Sequence, residues 1–225
     1  PSAPAGPSLE RVASQIHGDW LVDWLSEPPP MPEKPETPAL HTDIRRRMPR
    51  YHLAPSDASA LAAFLMSPGV VRSEEHSADR GDYDAGKGLF LSVGCLACHT
   101  WNNEGEPQAW DGGDLTRIAR KRPRSFFSTW LSEPARLNPD HRMPVFALRA
   151  DELRNLVEFL ASQGRDDPER PPAVDSDAAQ RERGQLLFQE LHCANCHVHD
   201  TMPGLKDRKP VAPLKAGSRW DRSCM

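Results

Sequence analysis

Apolar residues follow a helical spacing in the stretch ADELRNLVEFLASQG, residues 150–164. The positions i, i+3, i+4 and i+7 are occupied by Leu153, Leu156, Val157 and Leu160. Acidic residues at the start of the stretch suit the positive N-terminal end of a helix, and Gly164 is typical of a helix end. We therefore predict one amphipathic helix in this stretch.

This helix belongs to a segment that occurs twice. HRMPVFALRADELRNLVEFLASQG aligns without a gap with RRMPRYHLAPSDASALAAFLMSPG, which lies 95 residues earlier. The identical positions include Met48 with Met143, Leu53 with Leu148, Leu61 with Leu156, Phe64 with Phe159, Leu65 with Leu160 and Gly69 with Gly164. Both copies predict a methionine fixed by the following proline, and then a helix.

A second repeat precedes the first. LERVASQIHGDWLVDWLSEP and LTRIARKRPRSFFSTWLSEP align 106 residues apart and share the ending WLSEP. The two offsets differ by 11 residues, which places an insertion in the proline-dense stretch PPPMPEKPETPAL of the first copy. We expect this stretch to be extended and solvated.

A third repeat ends in paired cysteines. DAGKGLFLSVG precedes CLACHTW, and RERGQLLFQEL precedes CANCHVH. A glycine and a phenylalanine four residues apart share one helix face in each copy, and they are Gly86 with Phe90 and Gly184 with Phe188. The small residue leaves room for another helix to cross closely.

The C-x-x-C-H motifs consist of Cys95, Cys98 and His99 in one copy and of Cys193, Cys196 and His197 in the other. Two cysteines one helical turn apart direct both sulfurs to the same side, where they can form thioethers to one haem, and the next histidine can bind its iron. The alternatives are a thioredoxin-like pair, chance, or a zinc site, because both motifs together would supply the four ligands that zinc requires. The glycine-bearing helix favours haem, since a zinc knuckle has no use for it.

A helix with glycine and an aromatic residue, followed by C-x-x-C-H, resembles the class I c-type cytochromes. The resemblance implies an all-α fold of tandem cytochrome c domains, each a small helical fold wrapped around covalent haem c, with two haems in this chain. In this family a methionine thioether from a distant loop usually binds the sixth position of iron. It therefore implies Met143 as that ligand for the first haem. It implies Met48 as a haem ligand too, for the haem at His197 if the two ends of the chain meet. It also implies that the last helix of a domain crosses the first at the glycine, so that Phe159 packs near Gly86.

Other candidates for the sixth ligand of the second haem lie closer in sequence. They are His192 and His199, which are too near His197 to reach the opposite haem face, Met202, which we expect to be a loop residue, and Met225. If none of them binds, the iron is five-coordinate and able to react with peroxide or small gases.

The repeats divide the chain into three parts. Residues 1–72 form the C-terminal half of a cytochrome c domain without C-x-x-C-H, residues 80–165 form a complete domain, and residues 176–225 form an N-terminal half. Either the chain is an excerpt of a longer multihaem protein, or the two halves meet as one permuted domain with Met48 over the haem at His197. The leucine segment occurs in both halves, at Leu9 and Leu214, which favours the excerpt.

Composition narrows the function further. A hydrophobic share of 38% suits small domains that gain apolar contact area from a bound group. Lys and Arg are scattered among acids at a net charge of −4, so no nucleic-acid partner is expected. The longest fully apolar run, Ala60 to Met66, has seven residues, whereas a membrane span needs about twenty, so no transmembrane segment is predicted.

These features predict an electron carrier rather than an enzyme, with no catalytic residues and with redox proteins as partners. A dihaem peroxidase or a gas-reactive haem protein is the alternative. Thioether attachment occurs on the exported side of bacterial membranes, so the resemblance implies a periplasmic or extracytoplasmic location, compatible with a larger membrane or periplasmic electron-transfer complex. The fifth cysteine, Cys224, is left without a role.

Overall fold

The computed structural model describes residues 6–27, 48, 50–67, 80–105, 112–139, 141–164 and 177–199. Within these ranges the chain is helical and contains no strand, which confirms the predicted all-α class. The helices are α1 Val12–Gln15, α2 Gly18–Ser26, α3 Pro55–Leu65, α4 Tyr83–Ser92, α5 Ile118–Lys121, α6 Arg124–Ser132, α7 Pro134–Leu137, α8 Ala150–Ala161 and α9 Ala178–Glu190. The proline-dense insertion, Met202, Leu214, Cys224 and Met225 lie outside the described residues.

The beginnings of these helices follow from local sequence. Asp82 caps α4 by accepting a hydrogen bond from the Ala85 N–H at 2.8 Å, and Asp177 caps α9 by accepting one from the Gln180 N–H at 2.7 Å. Helix α3 begins with Pro55, whose fixed φ and missing N–H suit a first helical position. Helices α3, α4 and α9 thus each have a defined start.

Helix α4 crosses α8 at Gly86. A Cβ on Gly86 would collide with the backbone carbonyl of Asn155 and lie 3.0 Å from the Phe159 Cβ, so only glycine permits this approach. The prediction that the last helix meets the first at this glycine is confirmed. Phe90 and Phe159 are among the most deeply buried side chains of the resulting core. We call the part of the molecule built on this core, α4 to α8, the central unit.

Helix α9 crosses α3 in the same way at Gly184. A Cβ there would collide with the Ala60 carbonyl and lie 2.7 Å from the Phe64 Cβ. One core accordingly joins both ends of the chain, and its buried members include Val12, Leu21, Leu25, Leu61, Phe64, Leu187, Phe188 and Cys193. We call α1, α2, α3 and α9 with their connecting turns the composite unit.

The two terminal halves of the chain pack against each other in the structure, as the permuted arrangement predicts. Leu9 packs against the composite core, and its N–H donates to the Val198 carbonyl at 2.9 Å. In the central unit the Leu115 N–H donates to the Thr100 carbonyl at 2.8 Å. Leu9 thus occupies in the composite unit the place that Leu115 occupies in the central unit, although it comes from the other end of the chain.

None of the helices in the described ranges combines the length and the apolar character that crossing a membrane requires.

Candidate functional site

The first cysteine pair lies on a single tight turn directly after α4. Gly94 adopts a left-handed conformation with φ of 94°, which ends the helix and begins a 3-10 turn over Cys95–Ala97. The N–H groups of Cys98 and His99 both donate to the Cys95 carbonyl, at 3.2 and 3.0 Å. This turn holds both thiols and the following imidazole next to one another, and the two cysteines are free of disulfide bonds.

A backbone carbonyl fixes the orientation of the His99 ring. The Nδ1 atom lies 2.9 Å from the Gly113 carbonyl, which can only accept, so Nδ1 carries the proton and Nε2 keeps its lone pair for a metal. The adjacent Gly112 makes this approach possible, because a Cβ there would collide with the Cys98 carbonyl and lie 3.0 Å from the His99 ring.

The second cysteine pair has the same local structure. His192 has a left-handed φ of 55° and precedes a 3-10 turn over Cys193–Asn195, where Gly94 stands in the first copy. The His197 N–H donates to the Cys193 carbonyl at 3.0 Å. Asn, Asp and His are the non-glycine residues most often found in this conformation, which explains why histidine can replace glycine here.

The partner of the second proximal histidine comes from the other end of the chain. His197 Nδ1 lies 2.8 Å from the Pro7 carbonyl, and the Gly6 N–H donates to the Cys196 carbonyl at 2.6 Å. Gly6 and Pro7 precede Gly112 and Gly113 by 106 residues, the offset of the second repeat. Residues 6 and 7 therefore provide the close backbone approach and the carbonyl acceptor for His197, as residues 112 and 113 do for His99.

Met143 is held at both its thioether and its backbone. Its Sδ accepts a hydrogen bond from the Trp130 Nε1–H at 3.0 Å, and its carbonyl accepts one from the His141 Nδ1–H at 2.9 Å. The Trp130 ring stacks on Phe126, with centroids 5.5 Å apart, and this fixes the donor. Met143 is partly buried against the core of the central unit, as is Cys95.

Met48 is partly buried against the core of the composite unit, which also contains Cys193. The nearby Tyr51 belongs to the same loop. Burial raises the pKa of its hydroxyl, and charge on Cys193 and Cys196 would raise it further, which locates the phenol close to the second cysteine pair. The fold thus brings the loop of Met48 to the second motif, 145 residues further along the chain.

An aromatic cluster closes each core next to its cysteine pair. In the central unit Trp101 packs edge-on against Phe90 and Phe159, with centroids 5.8 and 5.5 Å away, and its Nε1–H donates to Gln163 at 2.8 Å. In the composite unit His199 occupies the place of Trp101 and lies 4.8 Å from Phe64 and 5.6 Å from Phe188. The His199 ring is thus part of the aromatic packing of the composite core.

The thiols lack the electrostatics of a redox-active pair. Burial raises the pKa of Cys95 above its usual value and raises that of Cys193 to about 11, whereas thioredoxin-like cysteines require a lowered pKa. Within the described ranges, no group of three or more His, Cys, Asp or Glu side chains is arranged to hold a metal ion. The two motifs therefore do not come together as a zinc site there.

These residues fit haem c. Each motif presents two unpaired thiols on one turn, and a proximal histidine whose Nδ1 is already engaged. Each core also includes a methionine from another segment. Sequence reasoning missed the hydrogen bond from Trp130 to Met143 and the roles of His141, Tyr51 and the Gly6-Pro7 pair. The recurrence of Gly6 before Leu9, as of Gly112 before Leu115, was the available signal for the last of these.

The helical fold and the paired thiols followed by histidine define a c-type cytochrome domain. Residues 83–164 match the family model described as Cytochrome c, so the central unit is a cytochrome c domain. A cytochrome c domain is evidence, in general terms, for covalent haem c and for electron transfer. No curated protein and no solved structure matches the chain.

Proposed function

We propose that the chain carries two covalent haem c groups and transfers single electrons between them and redox partner proteins. The central site consists of Cys95, Cys98, His99 and Met143, and the composite site consists of Cys193, Cys196, His197 and Met48. The observation that carries the proposal is the matching hydrogen bond from each proximal histidine, 2.9 Å to Gly113 and 2.8 Å to Pro7. A second turn that only resembled the motif would not need this partner.

The chain's own residues would bind, orient and shield the cofactor. The cysteines would attach it, and the fixed Nδ1–H of each histidine would aim Nε2 at the metal. When bound, haem c supplies a one-electron couple, which histidine and methionine ligands shift to higher potential. Phe90, Trp130 and Phe159 would exclude water from the central site. A ligand set that is the same in both oxidation states keeps reorganisation small, which suits a carrier more than a catalyst.

Haem stoichiometry tests the proposal. The pyridine haemochrome of the purified chain should give two haems per polypeptide. The double variants Cys95→Ala/Cys98→Ala and Cys193→Ala/Cys196→Ala should each retain one haem through denaturing electrophoresis. If the second double variant still carries the full haem content of the parent, the composite site does not bind haem and the dihaem proposal is wrong.

Ligand variants test the sixth position. Ferric haem bound by methionine sulfur has a weak far-red absorption band, so Met143→Ala and Met48→Ala should each remove part of that band. The peroxidase alternative requires an iron with an open sixth position. It would replace the carrier proposal if Met48→Ala leaves the spectrum unchanged and the parent chain turns over peroxide.

We also place the chain outside the cytoplasm, in the periplasm or at the cell surface, where thioether attachment of haem takes place. Fractionation of cells that express the native gene, followed by haem staining, tests this location. Haem-stained chain confined to the cytoplasmic fraction would contradict it.

A further inference from the structure

Helix α5 of the central unit meets α2 of the composite unit. The Lys121 Nζ lies 4.4 Å from the centroid of the Trp20 ring and 6.0 Å from that of Trp24, and the two indoles are stacked at 5.2 Å. The Lys121 carbonyl accepts a hydrogen bond from the His17 N–H at 3.0 Å. Beside this contact, Arg120 pairs with Asp23 at 2.8 Å. Lys121 is thus held against the aromatic stack of the other unit by its backbone and by its charge.

The central and composite units are related by an approximate two-fold axis, and the contact of α5 with α2 is one of two equivalent contacts between them. In the second repeat α1 corresponds to α5 and α2 to α6, and in the structure α1 contacts α6 while α2 contacts α5. The counterpart of His17 is Pro123, which has no N–H to donate. The Arg122 guanidinium donates in its place, to the Gln15 carbonyl at 3.0 Å. The same faces of the two units therefore meet, and equivalent side chains lie near the interface from both sides.

Charge breaks this symmetry. In the central unit Arg122 lies 4.2 Å from the Phe126 ring, which stacks on Trp130, so a cation of the unit itself covers the aromatic pair. The equivalent positions of the composite unit carry no charge: Ser14, Gln15 and Ile16 stand where the central unit has Arg120, Lys121 and Arg122. The cation over Trp20 and Trp24 comes instead from the central unit, as Lys121.

No carboxylate among the described residues lies within ion-pair distance of Lys121. Burial and, to a smaller extent, the neighbouring positive charge of Arg122 together lower its pKa to about 8. Burial and a neighbouring cation disfavour this charge, and aromatic rings offset only part of that cost unless an anion joins it. The position is therefore suited to an anion that is not part of the described polypeptide.

The aromatic stack links this position to the composite haem site. Trp24 corresponds to Trp130, whose indole N–H reaches the Sδ of Met143, the proposed sixth ligand of the central site. We infer that Lys121, reaching across from the central unit, supplies the positive charge of the composite haem site, where it pairs with a propionate carboxylate of the haem. The inference rests on the proposed second haem.

The reduction potential of the composite haem would therefore depend on the central unit. A positive charge close to haem favours the reduced form, because oxidation adds a further positive charge to the site. Lys121 therefore raises the reduction potential of the composite haem, although it belongs to the sequence of the other domain. Separating the two units would lower this potential, and docking them would restore it.

Redox titration of the holo chain tests the inference. The parent should give two one-electron steps, and the step missing from Cys193→Ala/Cys196→Ala belongs to the composite site. Lys121→Met keeps an unbranched side chain that is one atom shorter and removes its charge. It should change the ratio of oxidised to reduced composite haem about tenfold in favour of the oxidised form. For a one-electron couple this lowers the reduction potential by about 59 mV. Lys121→Arg should leave that step near its parent value.

Arg122→Met is the matched control, since it removes a cation one residue away that covers the central stack instead. It should move the central step by more than the composite one, to which Arg122 is linked only through its hydrogen bond to the Gln15 carbonyl and its charge beside Lys121. The inference is overturned if Lys121→Met moves neither step, moves both equally, or moves only the central one in a chain that still holds two haems. A haem count of one per chain would instead overturn the proposed function, and the inference with it, before any potential is compared.

Discussion

The crossing of α9 over α3 predicts that Gly184 tolerates no side chain. An added Cβ would lie 2.6 Å from the carbonyl carbon of Ala60 and 2.7 Å from the Phe64 Cβ, whereas ordinary contacts begin at 3.4 Å. The helices would have to separate by more than 0.8 Å, the difference between 3.4 and 2.6 Å for the carbonyl carbon, because the Ala60 carbonyl oxygen is closer still. The obstructing atoms belong to the backbone and to a Cβ, so rotation of a flexible side chain cannot relieve the collision.

The expected cost follows from two opposing effects. Overpacking a core typically costs about 1–3 kcal/mol, and we expect the upper end because two whole helices must move. Alanine recovers about 1 kcal/mol over glycine in a helix interior. The net loss of about 2 kcal/mol corresponds to a decrease of about 8–16 °C in the melting temperature of the composite unit, at about 4–8 °C per kcal/mol.

Thermal unfolding of the holo chain, followed by tryptophan fluorescence and far-ultraviolet circular dichroism, measures this effect. Gly88→Ala on α4 is the control, because a Cβ there meets nothing within 4 Å and the same change of residue should stabilise by about 0.5–1 kcal/mol. If Gly184→Ala behaves like Gly88→Ala, then α9 does not pack against α3 in solution. The composite unit would then be refuted.

Three further variants test individual contacts. Trp130→Phe removes the hydrogen bond to Met143 Sδ, worth about 1 kcal/mol, so exogenous imidazole should displace the methionine about fivefold more readily; unchanged imidazole binding would contradict this role. Glu158→Gln breaks the ion pair with Arg124, 2.6 Å long and largely buried on both sides, and should destabilise the central unit by about 2–3 kcal/mol in urea unfolding, with little further loss when Arg124→Met is added. For Lys121 without a partner, the pKa is about 8 in the folded chain and 10.5 in the unfolded chain. Between pH 8 and 10.5 the folded chain releases the proton first, so the parent would gain stability relative to Lys121→Met as the pH rises. A propionate partner cancels this gain, so a pH-independent difference between the two holo proteins is expected in that window, and a gain would argue against the partner.

Local spacing was sufficient to predict the central domain. Two cysteines and a histidine on one turn, a glycine nine residues before the first cysteine, and an apolar stripe ending near Gly164 each fix geometry within a few residues of chain. The crossing at Gly86 followed from the family resemblance and the need of a small residue there, and the structure bears it out. The buried residues of α8 include most of the predicted stripe, namely Leu156, Val157 and Leu160.

The interactions that complete each site were less accessible from sequence. The indole N–H of Trp130 reaches Met143 across a connection that contains α7, and no periodicity indicates such a hydrogen bond. Lys121 appeared in the sequence as one of several scattered basic residues. Its partner rings lie about 100 residues away and on another unit, so only the tertiary structure assigns it to the composite site.

Joining the two ends of the chain sets the entropy cost of closing a long loop against the gain from packing helices. Sequence patterns do not show which of the two is larger. The loop closed by His197 and Pro7 spans 190 residues, whereas that closed by His99 and Gly113 spans 14. Closure entropy grows as about (3/2)RT ln n, so the longer loop costs about 2 kcal/mol more, which one buried helix crossing can offset. Folding of the central unit first shortens the effective loop. We therefore expect the composite unit to fold second and to be the less stable of the two, with the Lys121 contact holding it to a partner that is already formed.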